Sequence, residues 1–293
     1  MKHDKKIFIH WHPIIQVDSR AMKRLRVLLF ETINDPYYNL AFEEAFFLVR
    51  ARRAVEDETL RIWRNRNAVV LGFFRSVEED VALDETRRYN TAIVRRFTGG
   101  GTVYHDLGNL NYAVTYSGEK VFHPIDTAYS FLIKGVINAL KYLGLIPRIE
   151  NTNDIVVYNR KVSGIAASYR WNTLFLHGSL LVSSNIERLY KLLKIPRKVP
   201  KGISSVKYKV TTLSKVLGGR IGFKEVIEYI IRAYEELYRA EAYIDIPSSL
   251  EIRVADFLYK NKYLDEKWNL EKTHTYGFTR LYRKVAEIIE ESL

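Results

Sequence analysis

Strand-like and helix-like stretches alternate irregularly along this chain, and that irregularity limits the fold more than any other feature. Apolar, β-branched runs occupy residues 25–33, 60–63, 68–71 and 92–96, with further runs near Val103 and at 110–116. After one amphipathic stretch at 127–143, three more follow in succession at 155–158, 161–169 and 173–182. Parallel strands need a crossover, usually a helix, between each pair. Strands that follow one another this closely are joined as hairpins instead. The pattern predicts an α+β fold with a largely antiparallel sheet flanked by helices. The first helix opens at Asn34-Asp35-Pro36, with Leu40, Ala41, Ala45, Phe46, Leu48 and Val49 on its apolar stripe. Other helices are expected at 81–89, 186–193, 223–240, 249–263 and 281–293. Residues 60–63 and 68–71 are expected to pair across the polar turn Asn65-Arg66-Asn67.

The 293 residues are 47% hydrophobic, enough for a sizeable core. No apolar run is long enough to span a membrane, and a cytoplasmic location is expected. Residues 1–23 read as an N-terminal extension. Its apolar part follows Lys2, Lys5 and Lys6 but carries His10, His12, Pro13 and Gln16, with no small-residue cleavage site, so it is a poor secretory signal. Met22 is an alternative start. Residues 24–271 are expected to form the main domain, and 272–293 a short helical tail. The chain has no cysteine, which removes disulfides, thiolate metal sites and cysteine nucleophiles from consideration. Its formal charge of +12 suits phosphates, nucleic acid or an acidic protein. No nucleic-acid motif or basic-aromatic repeat accompanies that charge.

The segment Arg95-Arg96-Phe97-Thr98-Gly99-Gly100-Gly101-Thr102-Val103-Tyr104-His105-Asp106 carries the most chemistry. Glycines lack Cβ and reach positive φ, so their amides can approach a phosphate. Arg96 adds a planar cation able to fork onto phosphate or carboxylate oxygens. Neither a Walker A loop nor a G-x-G-x-x-G fingerprint is present. The bland alternative is a glycine-rich hairpin with basic flanks. A second segment runs from Asn153 and Asp154 to Lys161, Val162, Ser163 and Gly164, and Leu176-His177-Gly178-Ser179-Leu180-Leu181 follows it. A lysine beside a phosphate loop can offset charge that builds during phosphoryl or acyl transfer. Alone, it is an ordinary turn lysine. Six cations (Lys194, Arg197, Lys198, Lys201, Lys207 and Lys209) make a basic loop suited to an acidic partner.

Together these segments resemble the lipoate–protein ligases. Residues 95–111 are similar to the family's signature loop, with Thr98 where serine is commoner. Residues 160–164 resemble its lysine motif, and 176–181 its His-His-Gly-Thr-Leu-Leu strand, with Leu176 replacing the first histidine. Residues 36–44, 201–206 and 265–269 resemble further blocks, in register from about Arg24 to Leu270. The resemblance implies the mixed α/β fold shared with biotin ligases and octanoyltransferases. It also implies ATP and Mg²⁺ as cofactors, with lipoate as the acid activated to lipoyl-AMP. Arg96, Gly99, Gly100, Gly101, Thr102, Val103 and Tyr104 would hold the nucleotide, and Lys161 would serve catalysis in both half-reactions. Thr98, His105, Asp154 and His177 would support the pocket, and no metal ligands are assigned. The implied acceptors are lipoyl-domain proteins such as 2-oxoacid dehydrogenase E2 or glycine cleavage H protein. A separately encoded accessory subunit is expected, because only a short tail follows Trp268. A cysteine-independent octanoyl or lipoyl transferase is the nearest rival reading, and a basic nucleic-acid-binding protein the more distant one.

Overall fold

The computed structural model describes residues 23–117, 125–194, 209–273 and 275–292. Residues 1–22 of the N-terminal extension, and the basic loop apart from Lys194 and Lys209, lie outside the described residues, and Lys23 opens the first strand. An eight-stranded sheet forms the centre. Its strands are β1 (Lys23–Leu28), β2 (Glu58–Trp63), β6 (Asn109–Ser117), β7 (Arg148–Glu150), β8 (Asp154–Val157), β9 (Arg160–Arg170), β10 (Thr173–Leu181) and β11 (Ala240–Asp245). They lie in the order β11-β1-β2-β6-β10-β9-β8-β7. Pairing is parallel among β11, β1 and β2 and antiparallel from β2 onward. A three-stranded sheet holds β3 (Asn67–Leu71), β4 (Ala92–Arg95) and β5 (Val103–Asp106) in the order β4-β3-β5. The α+β, largely antiparallel expectation therefore holds.

Helices cover both faces of the large sheet. On one face α4 (Ile125–Tyr142) and α7 (Phe223–Tyr238) bury Leu132, Val136, Ile230 and Tyr234 against Val114, Leu174 and Leu176. The second face carries α1 (Pro36–Ala51), α8 (Ser249–Leu258) and α9 (Phe278–Glu290). Phe42, Phe46, Val254 and Leu281 share one core there with Ala113 and Phe175. Helix α1 starts where the sequence signals it: Asp35 accepts from the Tyr38 amide at 2.9 Å, and Pro36 follows. The residues expected as a separate tail pack into this core, with Leu281, Val285 and Ile289 buried.

Three expectations change. Strands β2 and β3 do not pair: both edges of β2 are taken by β1 and β6, so β3 leaves for the small sheet. Their connection is buried instead of turning back in solvent, because Asn65 is hydrogen-bonded to Asn39 and His105. The glycine segment is not a hairpin either. Since β4 and β5 flank β3 on opposite sides, the loop must cross over the end of β3. The helix expected at 81–89 is found shortened as α3 (Leu83–Arg88), and an unexpected single turn, α2 (Val77–Asp80), precedes it, with Val81 bridging Leu193 between them.

Candidate active site

A slot opens between the second face of the large sheet, α1 and the glycine loop. Its floor follows from strand register. Trp63 on β2 lies opposite Asn111 on β6, Asn111 opposite Ser179 on β10, Ser179 opposite Gly164 on β9, and Gly164 opposite Asp154 on β8. Residues opposite one another share a face, so these five make one row across five strands. The next row carries Arg61, Ala113, His177 and Ala166. Leu40 and Glu43 of α1 enclose the slot, as do Val70, Arg96, Gly101, Thr102, Val103 and His105 from the small sheet and its loop.

The glycine loop is held by its own arginine. Arg96 donates through Nη2 to the carbonyls of Gly99 (2.6 Å) and Gly101 (2.7 Å), and through Nη1 to that of Val70 (3.3 Å). Its Nε donates to Thr98 Oγ1 at 3.0 Å. Burial pushes this guanidinium down to about 10, still charged at neutral pH. Gly100 sits at φ +88°, and a Cβ there would lie 2.9 Å from Arg96 Nη2. Gly72 must also be glycine, because a Cβ would stand 2.1 Å from the Gly100 carbonyl oxygen. The other arginine, Arg95, is also turned inward: it donates to the carbonyls of Gly72, Phe73, Arg75 and Trp268. That locks the Trp268-Asn269 block under the loop.

Hydrogen-bond direction is set from Glu43. The Glu43 carboxylate can only accept, which puts the His177 proton on Nδ1, donated to Glu43 Oε1 at 2.7 Å, and leaves Nε2 to accept from the Thr98 hydroxyl at 2.7 Å. A second wire ends at His105. Arg61 donates to Asn39 Oδ1, Asn39 to Asn65 Oδ1, and Asn65 to His105 Nδ1 at 3.0 Å. His105 is thereby set as the Nε2–H tautomer. Burial, with Arg96 and His177 nearby, pushes its imidazole down to about 3. It is a neutral donor lining the slot.

Lys161 stands at the other end of the floor, with Nζ 2.5 Å from Asp154 Oδ1. A register shift between β8 and β9 frees its backbone from β8: its amide donates to the Lys209 carbonyl, and its carbonyl accepts from Thr211. A Cβ on Gly164 would lie 3.1 Å from Lys161 Nζ, so this glycine leaves the ammonium room over the floor.

The structure thus brings Arg96, Gly101, Thr102, Val103, His105, Lys161 and His177 to one slot. Thr98 and Gly100 shape its roof, and Asp154 braces the lysine. Gly99 supplies a carbonyl to Arg96, and a Cβ added to it would lie 3.8 Å from the Phe74 ring. Thr102 is tied through its hydroxyl to Asp80. The Tyr104 side chain points away, into the core with Val69, Leu71 and Val77. Sequence reasoning missed Glu43, Trp63, Asn111 and Ser179. Glu43-Glu44 gave a signal, being two carboxylates in the middle of the apolar run Leu40-Ala41-Phe42 to Val49. Both prove fully buried, each facing a different polar cluster. Among the described residues no group of three His, Cys, Asp or Glu side chains is placed to hold a metal, and no helix is long and apolar enough to cross a membrane.

A slot with a glycine loop as roof and Lys161 at one end is what the lipoate-ligase class of enzyme would present, and the chain's similarity to known proteins places it in that class. The family model of the lipoyl protein ligase A/B catalytic domain matches residues 35–235, and the chain belongs to that family. Lipoate-protein ligase A of Psychrobacter cryohalolentis is 33% identical over 259 residues, 85% of this chain and 73% of its own. Among solved structures, that of a bi-partite lipoate protein ligase and its E2 lipoyl domain from Thermoplasma acidophilum superposes with a TM-score of 0.76 at 29% identity, covering 86% of this chain and 98% of that one. A lipoate-protein ligase A bound with ATP gives 0.74 at 28% identity, covering 84% and 98%.

Proposed function

We propose that this chain activates lipoate with ATP and transfers the lipoyl group to one lysine of a lipoyl-domain acceptor, of the kind found in 2-oxoacid dehydrogenase E2 or glycine cleavage H protein. The carrying observation is the polarity of the floor row, which runs from the Lys161–Asp154 pair to buried Trp63. Strands lie ~4.8 Å apart, so the three steps from Gly164 to Trp63 span ~14 Å. That is room for an extended medium-length acyl chain whose carboxylate rests beside Lys161. In the first step a carboxylate oxygen attacks the α-phosphorus of ATP, and the bond to the β-phosphate oxygen breaks, releasing pyrophosphate. In the second, an acceptor lysine amine attacks the acyl carbon, loses a proton, and AMP leaves. Lys161 can donate to the oxygens that gain charge in both steps.

The neighbours' ligands support this reading: ATP in one, and an E2 lipoyl domain as partner in another. Magnesium would arrive with the nucleotide, since Mg²⁺ commonly takes phosphate oxygens plus one or two carboxylates, and Asp154 is the carboxylate beside Lys161. We also propose a second subunit, because the solved Thermoplasma relative is bi-partite, and a cytoplasmic site of action, where ATP and apo acceptors meet. Mass spectrometry of an apo lipoyl domain incubated with the chain, ATP and lipoate tests the activity. A lipoyl-sized mass gain that depends on ATP is expected. Its absence with several acceptors and the second subunit present would overturn the reading.

A further inference from the structure

The glycine loop is pinned at a second point, apart from Arg96. Its three glycines bring little side-chain restraint, and a Cβ on Gly101 would meet nothing within 4 Å. Arg96 holds the carbonyls of Gly99 and Gly101 from inside the loop. Where the loop runs into β5, Thr102 lines the slot and its hydroxyl donates to Oδ2 of Asp80, which stands behind it. The same carboxylate takes a fork from Arg75: Nε donates to Oδ2 at 2.6 Å and Nη2 donates to Oδ1. Asp80 is 4% exposed, and its backbone is fixed on both sides. Its amide donates to the Ser76 carbonyl at 3.2 Å, and its carbonyl accepts from the Lys194 amide at 2.8 Å. Arg75 is fixed as well, because Arg95 Nη1 donates to its carbonyl at 2.6 Å. The loop therefore ends on a post that is itself immobilised.

Resting on the nucleotide-binding part of the ligase reading above, we propose that Asp80 and Arg75 are positioning residues for ATP. Through Thr102 they hold the β5 end of the glycine loop in place before a phosphate arrives. A carboxylate close to a polyphosphate repels it unless its charge is cancelled. Arg75 cancels that charge with two bonds, and what remains to Asp80 is a charge-assisted hydrogen bond from Thr102, stronger than one between neutral groups. The benefit is entropic. Loop residues ordered in advance need not be ordered at the expense of ligand binding. Filling space does not account for the arrangement, because a valine at position 102 would fill the same volume and would call for neither a carboxylate nor an arginine behind it.

Calorimetry of the whole chain with ATP and, separately, with lipoate tests this latch. Thr102→Val keeps the volume and removes the donor. ATP affinity should fall about tenfold, the order expected for a hydrogen bond to a charged group, while lipoate binds as before. Thr102→Ser, which restores a hydroxyl, should recover most of the ATP affinity. Asp80→Asn should weaken ATP binding selectively too. Combined with Thr102→Val it should bind ATP no more weakly than the worse single variant, because both changes break the same link. Unchanged ATP affinity in Thr102→Val, losses that add in the double variant, or equal weakening of ATP and lipoate would each overturn the latch; the last would mark a brace of the fold at large. Those results leave the ligase reading intact. An unaltered protein that binds no ATP would instead overturn the nucleotide reading, and the latch with it.

Discussion

Each residue of the slot is fixed by a neighbour whose own orientation is fixed in turn, and single substitutions can be read along those chains. Lys161→Ala removes the cation paired with Asp154 and should cost ~10²-fold or more in lipoyl transfer, as loss of one preorganised donor does. The side chain is 29% exposed, so the thermal midpoint should barely move; a folded variant with normal rates would strip Lys161 of its role. Gly100→Ala acts differently. At φ +88° the alanine is strained by ~1–2 kcal/mol, and its Cβ displaces the Arg96 guanidinium. The expected outcome is a weaker ATP affinity by calorimetry in a protein that still unfolds cooperatively. For His105 the effect is on pH. An unfolded imidazole takes a proton near pH 6.5, and the buried one only near 3. Stability is therefore complete above pH 6.5 and is lost as pH falls toward 3, reaching ~2 kcal/mol at pH 5. His105→Asn should flatten that share of the dependence of thermal midpoint on pH, whereas an unchanged slope would mean the imidazole takes its proton in the folded state. The residues that meet at the slot were legible in the sequence mainly through the resemblance of the glycine-loop and lysine segments to the family's motifs, since by chemistry alone each segment also had an ordinary reading. Trp63 and Asn111 were not: an aromatic and an amide at strand positions look like core, and only register shows that they meet the lysine's row.

At the level of elements, the second-face helices are tied by charge as well as by apolar packing. Glu44 of α1 accepts from Lys262 Nζ at 2.7 Å and from Tyr263 at 2.7 Å, and Tyr282 of α9 donates to it at 2.5 Å. Lys262 and Glu44 are both fully buried. Removing one partner of a buried pair strands the other charge, so Lys262→Met should lower unfolding free energy by ~3–5 kcal/mol in urea. The double variant Glu44→Gln with Lys262→Met should regain most of it; equal losses in the two would rule out a stranded carboxylate as the cause. Helix boundaries were largely readable because caps are local: Asp35 before Pro36, and Ser248 with Glu251 in a capping box at α8. Strand partners were harder. Residues 60–63 and 68–71 look like a hairpin locally, yet β2 finds longer-range partners on both edges, and nothing within nine residues records that competition.

For the molecule as a whole, a charge of +12 sets how it meets partners more than how it folds. If a second subunit completes the enzyme, the isolated chain should release little pyrophosphate from lipoate and ATP, yet transfer readily from preformed lipoyl-AMP. Vigorous release by the chain alone would remove the need for a partner. The mixed, mainly antiparallel architecture was foreseeable from closely spaced strand runs. The parallel β11-β1-β2 edge was not, since β11 brings only a short alternating run, Ala240–Asp245, after a long helix. That edge bears on how the chain is made. Arg26 meets Asp245 across 219 residues of sequence, which at ~5–20 residues per second takes a ribosome roughly 10–45 s to add. Through that interval β1 has one flank without its final neighbour, an invitation to pair with another nascent copy. Lys23, Arg24 and Arg26, three cations among its six residues, make such pairing repulsive, so the strand guards itself electrostatically until β11 and its carboxylate arrive.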